Sequence, residues 1–210
     1  MTYRIGIVAH HKRLQMADRL SQTVQADILS IDPGNIGANG NHKRVWAELG
    51  SYDSDWSAVL EDDAVPVADF RGQLEAVLQA APAPIVSAYL GQKRPPQAQP
   101  LIRAAIARAD HDDAHFIVGN QMFHAVAIAM HTSLIDDMLS SLRAYLPIDQ
   151  AIGRWARSRG HEIAHCWPSI VNHADAPTLI SHPDGKPRPP GRVAHRIGTR
   201  ADWSSKSVAL

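Results

Sequence analysis

Short apolar runs rich in β-branched residues alternate along this chain with stretches whose apolar positions recur every three to four residues. That alternation predicts strands interleaved with helices and a largely parallel sheet. Residues 4–9 (Arg-Ile-Gly-Ile-Val-Ala) read as a buried strand, and His10-His11-Lys12-Arg13 turns the chain into a helix presenting Met16, Ala17, Leu20 and Val24. Residues 26–31 predict a second strand. A loop with Gly34, Gly37 and Gly40 follows, then a helix from an Asn41 N-cap to Leu49, with Gly50 beyond its end. The glycines do not follow the first strand, so they form no dinucleotide fingerprint. Trp56, Val59 and Leu60 belong to another buried strand, which ends in Glu61-Asp62-Asp63, with Pro66 placed to stop a ladder.

Further on, the pattern predicts a helix over 67–80 and a strand over 84–90. Residues 91–100 read as a mobile Pro/Gln loop. Strands over 115–118 and 123–130 are expected around a Gly119-Asn120 turn, then helices over 133–145 and 148–159 and a last strand over 163–171. The segment 183–191 (Pro-Asp-Gly-Lys-Pro-Arg-Pro-Pro-Gly) resists regular structure. The expected organisation is one α/β domain over 1–182 and a Pro-rich linker with a basic tail over 183–210.

With 210 residues, 45% hydrophobic and 20% charged, the chain can bury one sizeable core. Lys plus Arg equals Asp plus Glu at 21 each, so overall charge says nothing about partners. Its distribution says more: from Pro183 onward six basic residues face two acidic ones, a net +4 that leaves −4 on the body. Cys166 is the only cysteine, so no internal disulfide can form, and a reducing, cytoplasmic location is expected. No apolar run is long enough to span a bilayer, and no obligate protein partner is evident.

Three adjacent carboxylates at a strand's end repel one another and call for a cation, a donor cluster or open water. The carboxyl rim of an open α/β sheet is where ligands bind, and hard oxygen donors there suit Mg²⁺ or Mn²⁺ shared with phosphate oxygens. The plainer alternative is a solvated acidic turn after an edge strand.

The order of motifs resembles glycosyltransferases of the GT-A type, especially small bacterial and phage enzymes. Three blocks carry the resemblance: Trp-Ser-Ala-Val-Leu-Glu-Asp-Asp-Ala-Val-Pro-Val from Trp56, Ile-Val-Ser-Ala-Tyr-Leu-Gly from Ile85, and Pro-Ser-Ile-Val-Asn-His from Pro168 ahead of Ser181-His182. It implies a GT-A, Rossmann-like fold with a mixed, mainly parallel sheet flanked by helices. It further implies sugar transfer from a nucleotide-sugar, UDP-linked, with Mn²⁺ or Mg²⁺ as cofactor. In this reading Asp63 ligates the metal, while Glu61 and Asp62 face ribose, metal waters or sugar. His182 and His173 compete as the second protein ligand, and the resemblance favours the later one. Asp149, in the first turn of a helix opened by Pro147, either complements the helix dipole or acts as the catalytic base. Lys43 and Arg44 near the start of the Asn41 helix are candidates for the diphosphate, and His10 with its neighbours for the nucleoside. Trp167 precedes Pro168 near this site and either stacks on a ligand or packs in the core; Cys166 reads as a packed thiol.

The acceptor is not legible. Some of the phage enzymes that the chain resembles glycosylate hydroxymethylated bases, which together with the basic tail raises modified DNA as a candidate. Two alternatives stand beside the transferase: a nucleotidyl- or phosphotransferase using the same carboxylates, and a non-catalytic carbohydrate- or DNA-binding module.

Overall fold

The computed structural model describes residues 1–210 except Ala144, Thr178 and residues 180–189. Ten strands and six α-helices follow the chain as β1 (Tyr3–His10), α1 (Leu14–Val24), β2 (Ile28–Asp32), α2 (Gly37–Gly50), β3 (Trp56–Glu61), β4 (Ala64–Pro66), α3 (Phe70–Ala80), β5 (Ile85–Ser87), α4 (Gln99–His111), β6 (Phe116–Gly119), β7 (Ala127–His131), α5 (Ile135–Ser141), α6 (Ile148–Arg159), β8 (Ile163–Cys166), β9 (Val171–His173) and β10 (Ser207–Ala209). Eight strands make one mixed sheet in the order β10-β6-β8-β5-β7-β3-β1-β2, and β4 and β9 form a separate two-stranded ribbon. Four of the seven neighbouring pairs in the large sheet are parallel, and β7 runs antiparallel between β3 and β5. This is the expected α/β class, with helices covering the sheet.

The centre of the sheet is dry on both faces, which is why β1 and β3 read as continuous apolar runs rather than alternating ones. Ile5, Ile7, Trp56, Ala58 and Leu60 face one layer with Leu20, Leu74 and Val77 from α1 and α3. Val8 and Val59 face the other, with Trp46, Leu49, Ile135, Ile152 and Trp155 from α2, α5 and α6. Each such aliphatic side chain contributes about 1.5–3 kcal/mol on burial. At the far edge, α4 covers β6 and β10 through Ile102, Ala105 and Ile117, with Trp167 beside them. Trp167 is therefore core, its Nε1 donating to Asp110 Oδ1 at 2.7 Å. Cys166 is likewise buried, and burial pushes its thiol upward in pKa.

The expected elements differ from the structure at several points. Helix α2 starts at Gly37 instead of after Asn41. Asp32 performs the capping, accepting from the backbone N–H groups of Gly34, Asn35, Ile36 and Gly37. Asn41 lies inside the helix, buried: Ser30 Oγ donates to its Oδ1 at 2.7 Å, and its Nδ2 donates to the carbonyls of Ala9 and Ser30. Pro66 does not end all pairing, because residues 64–66 form the ribbon with β9. Residues 96–111 are helical, and Pro100 sits in the first turn of α4, where a missing N–H costs nothing. β6 and β7 are not hairpin partners, since β8 and β5 lie between them. The last strand is broken at Trp167-Pro168 into β8 and β9.

The segment 183–189 lies outside the described residues. Beyond it the chain returns across the body: β10 pairs with β6, Arg196 pairs with Asp110 at 2.6 Å, and Arg200 with Asp113 at 3.0 Å. No helix is long and apolar enough to cross a membrane among the described residues.

Candidate functional site

The carboxyl ends of β1, β2 and β3 end level with one another, since His10 pairs with Asp32 and Val8 with Glu61. Just past those ends lies a cavity of about 340 Å³ lined by His10, Arg13, Asp32, His42, Arg192 and the three acids. The β4–β9 ribbon closes one side. Its register sets Ala64 opposite His173, and the Ala174 N–H donates to the Asp63 carbonyl, which brings His173 beside Asp63.

Arg13 organises the acids. Its Nη1 donates to Asp62 Oδ1 at 2.8 Å and to Asp63 Oδ2 at 2.6 Å, and its Nη2 donates to the Pro177 carbonyl. The His10 N–H donates to the other oxygen of Asp62 at 2.9 Å. Asp62 and Asp63 are buried. Burial, and then the charge of Glu61, hold the Asp63 carboxyl above its ordinary pKa despite His173 and Arg13. Burial is the largest influence on Glu61 and opposes its ionisation, but the His42 hydrogen bond at 3.4 Å and the charges of His42, His173 and Arg13 together outweigh it and keep that carboxyl below the usual range. One arginine therefore balances a cluster of three carboxylates, and the shortfall falls on Asp63.

The donor set suits a hard divalent ion in part. Asp63 and Glu61 are carboxylates whose mutual repulsion a cation would relieve. His173 does not suit the role in its present hydrogen bonding. Its Nδ1 accepts the Asp175 N–H at 2.8 Å, so the ring proton belongs on Nε2, the nitrogen that faces Asp63 Oδ2 at 3.4 Å. A protonated nitrogen cannot coordinate a metal; it orients Asp63 instead. His182 lies outside the described residues. No three His, Cys, Asp or Glu side chains converge on one point among the described residues, so any ion here would take further ligands from phosphate oxygens and water.

A second chamber of about 560 Å³ adjoins the first, the two sharing Glu61, His173 and Arg192 as walls. It contains Asp149, Tyr89 and His124. Asp149 lies in the first turn of α6, where its Oδ1 accepts the Gln150 N–H. Burial first, then the charge of Glu61, lift its pKa to about 6. Helix α6 is fixed from its other end, where Trp155 Nε1 and Arg159 both donate to Asp137. Burial keeps the His124 ring neutral, its pKa lowered to about 3, and its Nε2 has no partner among the described residues.

The structure thus gathers His10, Glu61, Asp62, Asp63 and His173 at one cavity and Asp149 at the adjoining one. Lys43 and Arg44 are not brought there. Because α2 begins at Gly37, they lie in its second turn, and neither lines either chamber; the helix N-terminus they were expected to flank is already taken by Asp32. Sequence reasoning gives no site role to Asp32, His42 or Arg192, and offers Arg13 only as a neighbour of His10 in a turn that either meets the nucleoside or is solvated. An Asp at the end of a predicted strand, just before a Gly-rich loop, was the available signal for Asp32. Nothing local pairs Arg13 with acids 49 and 50 residues away.

No family model matches this chain, and no curated protein matches it. Among solved structures, A197 from STIV aligns over 94% of this chain and 96% of its own, at 12% identity and a TM-score of 0.45. CMP:2-keto-3-deoxy-manno-octonic acid synthetase complexed with CTP aligns over 79% and 89%, at 11% identity and 0.39. The inositol-1-phosphate CTP transferase from T. maritima aligns over 79% and 66%, at 7% identity and 0.37. None of these likenesses carries an argument about this chain's chemistry.

Proposed function

We propose that this protein is a glycosyltransferase of GT-A type that moves a sugar from a UDP-sugar to a hydroxyl acceptor with the help of Mn²⁺ or Mg²⁺. One observation supports it above the others: an acid- and arginine-lined cavity shares a wall with a second chamber holding a raised-pKa carboxylate. A donor and an acceptor need that arrangement, with the reacting carbon at the shared wall.

In this reading the first cavity takes the nucleotide diphosphate. Arg13, which bridges Asp62 and Asp63, and Arg192, which pairs with Asp175 at 3.1 Å, line it as hydrogen-bond donors for phosphate oxygens. Asp63 and Glu61 would hold the divalent ion, which when bound neutralises charge on the departing diphosphate. His173 keeps Asp63 aimed. On the acceptor side, Asp149 takes the proton from the attacking hydroxyl as the new C–O bond forms. Its pKa of about 6 leaves it ionised at neutral pH yet basic enough for that task. The sugar acquires oxocarbenium character as the bond to the diphosphate lengthens, and direct displacement inverts the anomeric centre.

Thermal melting with a panel of UDP- and GDP-sugars, with and without Mn²⁺, tests the reading. A donor at one hundred times its Kd stabilises the fold by about 2.7 kcal/mol. The expected outcome is a Tm rise with one UDP-sugar that grows with Mn²⁺. A protein stabilised instead by a nucleoside triphosphate, with pyrophosphate released, is a nucleotidyltransferase.

A further inference from the structure

Three histidines bury a ring nitrogen that has no partner among the described residues: His42 Nδ1, His124 Nε2 and His165 Nδ1. Such an atom gives up water without compensation, and an apolar ring would fill the same space at lower cost. His42 differs from the other two in what the rest of its ring meets. His165 and His124 reach backbone groups, of Gln121 and Gly91, whereas His42 Nε2 faces a carboxylate, Glu61 Oε1, at 3.4 Å.

Helix α2 places that ring. It packs on β1 and β3, and its start at Gly37 sets His42 in the second turn, beside the end of β3. Asn41, one residue earlier, spends its side chain on Ser30 and Ala9 and so fixes the helix. His42 is 1% exposed and spends its own on Glu61. Glu61 stands apart from the two aspartates beside it. Arg13 bridges Asp62 and Asp63, whereas Glu61 has no arginine or lysine partner among the described residues. Of the three acids it alone lines both chambers. A partly exposed glutamate held by nothing would sample several rotamers. The imidazole, immobile in the core, ties one of its oxygens and leaves the other for the wall that the chambers share.

We infer that His42 is the positioning residue of the donor site: it holds one oxygen of Glu61 so that the other meets the cation and diphosphate at the wall between the two chambers. This deepens the transferase reading and rests on it. An outer partner of this kind orients a ligating carboxylate, and its loss weakens metal binding although the ligand itself stays in place. Stability and binding should then respond in opposite directions. An apolar ring at position 42 removes a buried orphan nitrogen, and Glu61, partly exposed, turns to water instead.

The test is the Mn²⁺ affinity of the full chain in saturating UDP, by titration calorimetry, beside thermal melting without either. His42→Phe should leave Tm unchanged or raised, yet weaken Mn²⁺ binding by about 10–100-fold. His42→Gln, whose amide can donate to Glu61, should recover most of that affinity. Glu61→Gln alone should weaken Mn²⁺ binding, and adding His42→Phe should cause no further loss, since one residue acts through the other. Where the phenyl ring does not fit, His42→Leu carries the same comparison. Unchanged Mn²⁺ affinity in the folded apolar variant would overturn the inference. So would a fully additive second loss in the double variant, or a joint fall of Tm and affinity that His42→Gln does not restore. A wild-type chain that takes up no Mn²⁺ with UDP refutes the transferase reading itself, which keeps the two failures apart.

Discussion

Asp63 is buried and Asp149 half-buried, and the fold disfavours ionisation of both, but their neighbours give them different work. Asp63 has Arg13 and His173 against it, whereas Asp149 accepts the Gln150 N–H and otherwise borders the chamber. The second is free to exchange a proton. Turnover should therefore fall off below about pH 6 with the loss of a single ionisation, and Asp149→Asn should abolish that limb while leaving donor binding intact, as kcat and donor Kd against pH will show. The same shift has a stability consequence. A carboxyl with its pKa raised from 3.8 to about 6 binds more protons folded than unfolded in that interval. Stability is then lost as pH rises through it, and Asp149→Asn should flatten this slope in urea titrations.

Arg13 makes the opposite case, a cation whose removal strands two buried carboxylates. Arg13→Ala should destabilise the fold by about 3 kcal/mol at neutral pH in chemical denaturation, less in acid where Asp63 takes up a proton. Adding Asp63→Asn to Arg13→Ala should recover part of the loss; a purely additive second loss would show that charge was not the cause.

Among the elements, α2 bears most on the site because both Asp32 and Asn41 fix its position. Asn41 ties it to β1 and β2 through three buried hydrogen bonds. Asn41→Ala should cost about 1–3 kcal/mol and, by loosening the wall that carries His42, weaken donor binding, both readable from melting with and without donor. The sequence offered Asn41 as a cap because an Asn after a Gly-rich loop is the usual signal. It could not show that Asp32, nine residues earlier, would gather four N–H groups and begin the helix sooner. Helix α4 is hard to read for a related reason: its buried face has Ile102 as its one large apolar residue beside Gln99, Ala105 and Ala109, and Pro100 and the glutamines ahead of it read as loop. Strands β1 and β3 were legible because both faces are covered, so their apolar runs are unbroken.

For the molecule as a whole, the C-terminal segment is an integral edge of the sheet. β10 extends it beyond β6, the Ser204 N–H donates to His115 Nδ1 and Leu210 packs against Gly119. Truncation after Trp203 should lower Tm and expose the β6 edge to self-association, measurable by light scattering on heating, whereas a detached tail could be lost without effect. Part of the positive charge that composition assigned to a tail is engaged in internal ion pairs, those of Arg192, Arg196 and Arg200.

The sequence by itself determined what depends on neighbours along the chain: the α/β class, the buried central strands, helix α6 with Asp149 in its first turn, and an acid cluster at the end of β3. Only tertiary structure decided which distant groups meet. It placed Arg13 on Asp62 and Asp63, turned the protonated nitrogen of His173 toward Asp63, withdrew Lys43 and Arg44, and set the Asp149 chamber against the acid cavity. The reason is physical: apolar periodicity records burial within one element, whereas the partner of a charge depends on strand order and register, which no local pattern encodes.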